Sequence, residues 1–338
     1  MKAFIDPGKE ASGPGILPLR EAAPDILQLR VPLEAGIDHN NVYLVREDAG
    51  WVVFDTGMDS PAVRGIWETA LSGPLKDGIR RIVVSHHHPD HLGLAAWLEE
   101  TTGAPVYVRP EELAVARSAA LLDPSGEGAI REYLGGNGLP SKDIDWFVDD
   151  FMRSFFACKI PREPRTPEPG DRFVAGRYTF EVLVHGGHSV AQVALHDPSA
   201  GILLSGDQML ERITPNVGLW PFGDASPLEN YFRSLDALES REIRLVLPGH
   251  HDVFRTDGSL PGALRAHHRM MLAKFLDRIR GEMTGFELSE AVFGKQHDLD
   301  NRVLALVETM AHLQWLLREG EVVRRDDLRT SRYRRTVR

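Results

Sequence analysis

The sequence has almost no cysteine, because Cys158 is the single thiol in 338 residues. One cysteine excludes an internal disulfide, a dithiol redox centre and a zinc site built from several thiolates. Since Phe155 and Phe156 precede it closely, we expect Cys158 to be a small buried hydrophobe.

Long apolar runs and an excess of basic charge are also missing. No stretch approaches the roughly 18 apolar residues that indicate a membrane-spanning helix, and the first residues lack the apolar segment of a secretory signal. The net charge of −10 disfavours a broad phosphate-binding surface. We therefore expect a cytoplasmic protein that acts on a small molecule, with no membrane or nucleic-acid partner. The sequence leaves room for a homodimer.

The length predicts one large domain followed by a smaller one. We predict a main α/β domain at 1–258, with an irregular leader at 1–24 and a helical insertion at 109–170, and a helical C-terminal domain at 259–338. Short apolar runs predict strands at 26–33, Val42–Val45, Trp51–Phe54, Ile82–Ser85, Pro105–Val108, Tyr178–Val184, Ala191–His196, Gly201–Ser205 and Arg244–Leu247.

Histidine is abundant, at 14 residues, and its placement is informative. The segment after the strand at Ile82–Ser85 carries four potential metal ligands, His86, His88, Asp90 and His91. Imidazole and carboxylate groups suit zinc, iron or manganese in a hydrolytic site. Four such groups in one loop therefore predict a metal site.

Each of these residues also has a plainer interpretation. His86 and His88 share a face of an extended chain, so His87 between them should point away as a filler. Asp90 could simply cap the helix predicted at Leu92–Glu100.

Three further strand ends carry the same chemistry, with His188, Asp207 and His250. Each of them follows a glycine, which permits a close backbone approach. Because open α/β sheets commonly place their sites at strand ends, we expect these three residues to join the cluster.

The run His-x-His-x-Asp-His at 86–91, followed by His188, Asp207 and His250, resembles the metallo-β-lactamase superfamily over roughly residues 26–255. The resemblance implies an αββα sandwich with two divalent metal ions at one edge, zinc first, with iron or manganese as alternatives. It implies that one ion is held by His86, His88 and His188. It implies that the other is held by Asp90, His91 and His250, with Asp207 as the bridge.

Two details depart from the family pattern. Residues 189–191 read Ser-Val-Ala where Ser/Thr-Pro-Gly is common, and His251 stands where the final motif usually has glycine. The second departure leaves open whether His250 or His251 is the last ligand. The preceding Pro248 and Gly249 favour His250.

Further residues are candidates for supporting roles. Asp55 matches the family's first motif, where it orients histidines of the metal site, although a turn-forming role after the strand is the alternative. The candidates for a substrate pocket are His39, Trp146, Phe151, Trp220 and Phe222. The aromatic part of the insertion could cover the site or pack an apolar stripe onto the core. The histidines expected to be structural or solvated are His185, His196, His267, His268, His297 and His312.

The resemblance implies a hydrolase in which a hydroxide bridging the two metal ions attacks an ester-type carbonyl. Asp90 and Asp207 would be the catalytic carboxylates, and Asp90 or a bound water would handle the leaving group's proton. A thioester or lactone of a small acyl substrate, as in glyoxalase II-like members, is the first hypothesis. A metal-dependent ribonuclease or phosphodiesterase is the alternative, and β-lactam hydrolysis is a further one. A nuclease would need a basic groove, which the main domain does not clearly show.

The end of the chain has its own pattern. Helices predicted at 261–281, Glu287–Phe293 and Asn301–Leu317, with a short hairpin at Glu319–Val323, resemble a winged-helix domain attached to some members of the superfamily. The segment 324–338 carries seven arginines. We expect a frayed, solvated tail there rather than an arm that binds nucleic acid.

Overall fold

Two six-stranded sheets form the centre of the protein in a computed structural model. The structure describes residues 17–35, 37–120, 124–152, 159–327 and 330–336. Phe155, Phe156 and Cys158, on which predictions were made, lie outside the described residues.

The first sheet follows the chain in order from β1 to β6. The pairs β4–β5 and β5–β6 are parallel, and the others are antiparallel. Every residue of β4 is buried, which explains its unbroken apolar run, because both faces of the strand are covered. The strands are β1 (Leu19–Ala23), β2 (Ile26–Ala35), β3 (Ile37–Glu47), β4 (Gly50–Phe54), β5 (Ile79–Val83) and β6 (Val106–Tyr107).

The second sheet has the order β12-β11-β10-β9-β8-β7, and only its β10–β11 pair is parallel. The strands are β7 (Arg172–Ala175), β8 (Tyr178–His185), β9 (Gln192–Asp197), β10 (Ile202–Gly206), β11 (Leu245–Pro248) and β12 (Phe254–Arg255). The sequence-based prediction missed both edge strands, β7 and β12, and it was wrong to treat Leu19–Ala23 as irregular. Edge strands are paired on one side only, so their sequences need fewer apolar residues.

Helices pack on the outer faces of both sheets, and further helices form the insertion and the C-terminal part of the chain. Among the residues described, none of them combines the length and apolar character of a membrane span. They are α1 (Pro61–Ser72), α2 (Pro89–Leu92), α3 (Ala95–Thr102), α4 (Pro110–Ala120), α5 (Pro124–Gly136), α6 (Ser141–Trp146), a π-helical segment (Phe147–Met152), α7 (Pro227–Glu239), α8 (Leu260–Arg278), α9 (Gly285–Phe293) and α10 (Leu299–Arg318).

The buried apolar side chains confirm the predicted αββα layering. Between the sheets, Phe54 and Val83 of the first pack with Phe180 and Leu204 of the second. On the outer side of the first sheet, α1 and α3 bury their apolar faces against β2 to β5. On the outer side of the second sheet, α7 packs against β9, β10 and β11. The sandwich therefore leaves its strand ends free to carry a site.

The insertion at 109–170 and the C-terminal helices share one hydrophobic core. Leu134 and Phe147 of the insertion belong to the same buried cluster as Leu288, Val303 and Leu306 of the C-terminal helices. The insertion thus packs its apolar stripe on a core, which is the plainer of its two predicted roles.

The basic tail is largely a hairpin, so the expectation of a frayed segment was wrong there. β13 (Val322–Asp326) pairs with β14 (Ser331–Arg335). Tyr333 is only 1% exposed, and its hydroxyl donates to Asn137 Oδ1 at 3.1 Å. The many arginines concealed an alternation in which Val322 and Tyr333 point inward.

Candidate metal centre

The predicted ligands lie at one edge of the sandwich, where strands of both sheets end. His86 follows β5, His188 follows β8, Asp207 follows β10 and His250 follows β11. The parallel pairs β4–β5 and β10–β11 make these ends converge. The structure brings all seven predicted ligands into two adjoining groups.

The first group consists of His86, His88, His188 and Asp207, whose ligand atoms lie within 4.8 Å of one another. His86 Nε2 is 2.9 Å from His88 Nδ1 and 3.3 Å from His188 Nε2. Burial lowers the pKa of all three imidazoles below the ordinary value. They are therefore neutral and offer the lone pairs that a metal ion requires.

The second group consists of Asp90, His91 and His250. Asp90 Oδ2 lies 3.4 Å from His91 Nε2 and 3.3 Å from His250 Nε2. Against the effect of burial, the carboxylates of Asp207 and Asp90 raise the pKa of His250 to about 10. The negative field that favours a proton on His250 equally favours a metal cation.

Asp207 joins the two groups. Its Oδ2 is 3.5 Å from His188 Nε2, 3.5 Å from His91 Nε2 and 3.2 Å from His250 Nε2. Its Oδ1 and the Nε2 of His91 are buried and have no hydrogen-bond partner within the described part of the chain. Because buried polar atoms are nearly always paired, these two atoms fit the ligand set of a metal centre with Asp207 as the bridge.

Asp55 positions two of the histidines, His91 directly and His86 through Ser85. Its Oδ2 accepts from His91 Nδ1 at 2.8 Å and from Ser85 Oγ at 2.9 Å, and Ser85 Oγ lies 2.9 Å from His86 Nδ1. The backbone of Asp55 has φ 65°, a left-handed conformation in which aspartate is enriched. Asp55 therefore fills both of its predicted roles: its backbone forms the turn after β4, and its side chain orients histidines of the site.

Backbone carbonyls orient two more ligands. His188 Nδ1 donates to Asn216 O at 3.0 Å, and His250 Nδ1 donates to His39 O at 3.0 Å. His39 therefore contributes its backbone to the site, whereas its side chain, predicted to line a substrate pocket, does not line the cavity that adjoins the first group of ligands. Asn40 extends this support, because its Nδ2 donates to Asp90 O at 2.5 Å.

The structure places His250 rather than His251 in the cluster. His250 is 4% exposed, and its Nε2 faces Asp90 and Asp207. His251 belongs to neither group. Its carbonyl instead accepts from Asn41 Nδ2 at 2.8 Å.

Glu112, on α4, is a site residue that the sequence-based interpretation missed. It is fully buried, and its Oε2 accepts from both His87 N and His87 Nδ1, at 3.0 and 2.5 Å. Its Oε1 accepts from Ser189 Oγ at 2.7 Å and Ala191 N at 2.6 Å. One carboxylate thus ties the loop of His86 and His88 to the loop of His188. His87 is therefore more than a filler, although it does point away from the ligand groups.

We expect Glu112→Gln to lower metal affinity and kcat/KM by about 10- to 100-fold, as is usual for residues that hold metal ligands in place. An amide nitrogen cannot accept the hydrogen bonds that one of the two carboxylate oxygens now receives. The neighbouring Glu111, which pairs with Arg109 at the surface, supplies the matched control Glu111→Gln. Metal titration and steady-state kinetics check the result, and equal behaviour of the two variants would remove Glu112 from the site.

A cavity opens beside the first group of ligands. Its walls include Val115, Met152, Trp220 and Phe222, and Asp224 lies at its side. Trp220 stacks on Phe222 with ring centroids 6.1 Å apart. Two of the predicted pocket aromatics therefore line it.

The other two aromatic predictions have different outcomes. Trp146 packs against the core shared by the insertion and the C-terminal helices. The side chain of Phe151 lies outside the described residues. Met152, which was not predicted, brings the insertion to the cavity wall, so the insertion both packs on a core and borders the site.

Residues 35–250 match the Metallo-beta-lactamase superfamily, and this segment is more than half of the chain. The chain belongs to the metallo-β-lactamase superfamily. Residues 272–336 match the Metallo-beta-lactamase-like, C-terminal domain. The predicted class, a metal-dependent hydrolase of this superfamily, is thereby confirmed. The winged-helix character of the C-terminal part stays a prediction.

Relatives within the superfamily cover most of the chain. A probable metallo-hydrolase, YqjP, of Bacillus subtilis is 26% identical over 88% of this chain and 94% of its own. A beta-lactamase domain protein from Burkholderia ambifaria has a crystal structure that matches with a TM-score of 0.84 and 30% identity, over 97% of both chains. A hydroxyacylglutathione hydrolase of Rhodobacter capsulatus is 23% identical over 70% of this chain and 76% of its own.

Proposed function

We propose that the chain hydrolyses a small, uncharged acyl thioester or lactone at a centre of two divalent metal ions. The observation that carries this proposal is the cavity beside the first ligand group, which combines apolar and aromatic walls with the ligands His88 and His188. Largely apolar pockets with a few placed polar groups are typical of sites for small molecules, and such walls suit an acyl chain.

The donor set fits two metal ions of the kind that hydrolases use. His86, His88 and His188 would hold one and Asp90, His91 and His250 the other, with Asp207 between them. When bound, the two ions would supply a water of lowered pKa and positive charge for the developing oxyanion. Histidine nitrogen and carboxylate oxygen favour zinc, with iron or manganese as alternatives.

The protein's own residues would position these groups and move the proton. Asp55 and Glu112 hold the histidine-bearing loops, as described above. Asp90, which is held by Asn40 through its backbone carbonyl, would receive the proton that is delivered to the leaving group. No serine or cysteine nucleophile is required in this scheme.

The negative charge of Asp224 beside the cavity favours some ester substrates over others. Asp224 accepts from Asn230 Nδ2 at 2.8 Å and from Ser226 N at 2.8 Å, so its carboxylate is held in place. Among the described residues that line the cavity there is no lysine or arginine. A glutathione thioester carries two carboxylates and a polynucleotide carries many phosphates, so both lack lysine or arginine partners in this lining. The likeness to hydroxyacylglutathione hydrolase therefore supports the reaction type more than the glutathione group.

We expect kcat/KM for a short acyl thioester of a neutral thiol to exceed that for S-lactoylglutathione by about tenfold or more, since tenfold is only 1.4 kcal/mol and like charges cost at least that. The substitution Asp224→Asn should bring the kcat/KM values of the two thioesters closer together. A panel of the two thioesters, an acyl lactone, a β-lactam and RNA, each with and without chelator, checks this. Preference for the glutathione thioester would contradict the substrate proposal, and fast RNA cleavage with steep salt dependence would favour the nuclease alternative.

A further inference from the structure

Three ligand-type side chains meet between α8 and α10, outside the cluster at the sheet edge. His268 lies on α8, and Glu308 and His312 lie four residues apart on one face of α10. Their ligand atoms are within 4.8 Å of one another, and both imidazoles are fully buried. A carboxylate and a histidine about one turn apart, facing a ligand on a second helix, is an arrangement that helical bundles use to hold metals.

The spacing of the two imidazoles suits a shared ion. His268 Nδ1 is 3.3 Å from His312 Nε2. Zinc–nitrogen bonds of about 2.0–2.1 Å in tetrahedral geometry place two ligand nitrogens about 3.3–3.4 Å apart. His312 Nδ1 donates to the carbonyl of Glu308 at 2.8 Å, which leaves the Nε2 lone pair facing His268. A backbone acceptor on the outer nitrogen is the usual support of a ligating histidine.

Neither the two imidazoles nor the carboxylate carries a positive charge at neutral pH. Burial lowers the pKa of His268 to about 3 and of His312 to about 4, so both imidazoles are neutral. Burial raises the pKa of Glu308 to about 7, and in the part of the chain that the structure describes no arginine, lysine or histidine forms an ion pair with it. A divalent cation would compensate the carboxylate and use the imidazole lone pairs.

We propose that His268, Glu308 and His312 bind a third divalent cation, of the zinc type, in the C-terminal helices. Its role is structural. Glu308 Oε2 accepts from Asn216 Nδ2 at 3.3 Å, and Asn216 O accepts from His188. An ion on Glu308 would therefore steady the segment that orients a ligand of the main centre, and it would link α8 to α10. The burial of His268 and His312 agrees with the expectation that they are structural, and the proposal adds a bound ion to that role.

Anomalous diffraction from crystals of the full chain grown with Zn²⁺, recorded at the zinc edge, tests this directly. The expected result is a peak among the three side chains, in addition to those at the main centre. Elemental analysis after dialysis should show about one zinc fewer per chain in Glu308→Gln than in wild type, and Zn²⁺ should raise the Tm of the variant by less. Glu290→Gln, on α9, is the matched control and should retain the wild-type zinc content.

An anomalous map with ordered side chains, a filled main centre and no peak between His268 and His312 would overturn the proposal. The two histidines would then be a buried hydrogen-bonded pair. Because the map is recorded on wild-type protein, this outcome does not depend on whether Glu308→Gln folds. It is also independent of the proposed ester hydrolysis, which the main centre performs.

Discussion

Replacing Asp207 by alanine is expected to lower kcat/KM about a thousandfold or more. Asp207 Oδ2 is within 3.5 Å of nitrogens from both ligand groups, so its loss weakens the retention of both ions. Metal ions contribute several kcal/mol of charge stabilisation in a hydrolytic transition state, and each 1.36 kcal/mol corresponds to tenfold in rate. The variant should also release metal at lower chelator concentrations than wild type does.

Asp48→Ala is the control for this substitution, because Asp48 lies exposed in the turn between β3 and β4. It should leave both kinetics and metal retention unchanged. If Asp207→Ala kept kcat/KM within tenfold of wild type at saturating metal, Asp207 would not be the bridge.

Gly249→Ala is expected to cost about a hundredfold in kcat/KM, although it adds only one methyl group. A Cβ at Gly249 would lie 2.2 Å from Asp207 Oδ1 and 2.7 Å from His91 Cε1, so both ligands would have to move. A displacement of about 1 Å in a catalytic constellation can cost on the order of 10² in rate. Kinetics and metal titration on the folded variant, verified by circular dichroism, measure the effect.

Gly65→Ala is the matched control, because a Cβ there would meet nothing within 4 Å. Gly65 lies inside α1, where alanine is favoured over glycine by up to about 1 kcal/mol, so the control should be at least as stable as wild type. Full activity in Gly249→Ala would show that the two ligands need not stay where the structure places them.

The fold was predictable where strands are covered on both faces. β4 and β10 are buried along their whole length, and their apolar runs identify them without knowledge of their neighbours. β1 reads Leu-Arg-Glu-Ala-Ala and is a strand only because β2 pairs with it. The predicted hairpin at Glu319–Val323 was placed too early, and the strand β14 was hidden in the same way, since its arginines point outward and one buried tyrosine anchors it.

The metal ligands were predictable from the sequence, because four of them lie in one short loop and the other three each follow a glycine at a strand end. Glu112 could not be found from the sequence, because an acidic residue in the first turn of a helix is common for other reasons. Asn216 was equally hidden, since it acts on His188 through its backbone carbonyl. The meeting of His268 with His312 depends on how α8 packs against α10, which no local pattern encodes.

The most direct test of the central claim is the metal content of wild-type protein compared with the double variant His86→Ala/His250→Ala, which removes one ligand from each group. We predict that the double variant, measured by elemental analysis after dialysis, holds two ions per chain fewer than wild type and hydrolyses no thioester. The comparison is a difference, so an ion elsewhere in the chain does not affect it. An unchanged metal content, with hydrolysis that persists in the variant and in chelator, would contradict a dinuclear metal hydrolase at this edge of the sandwich.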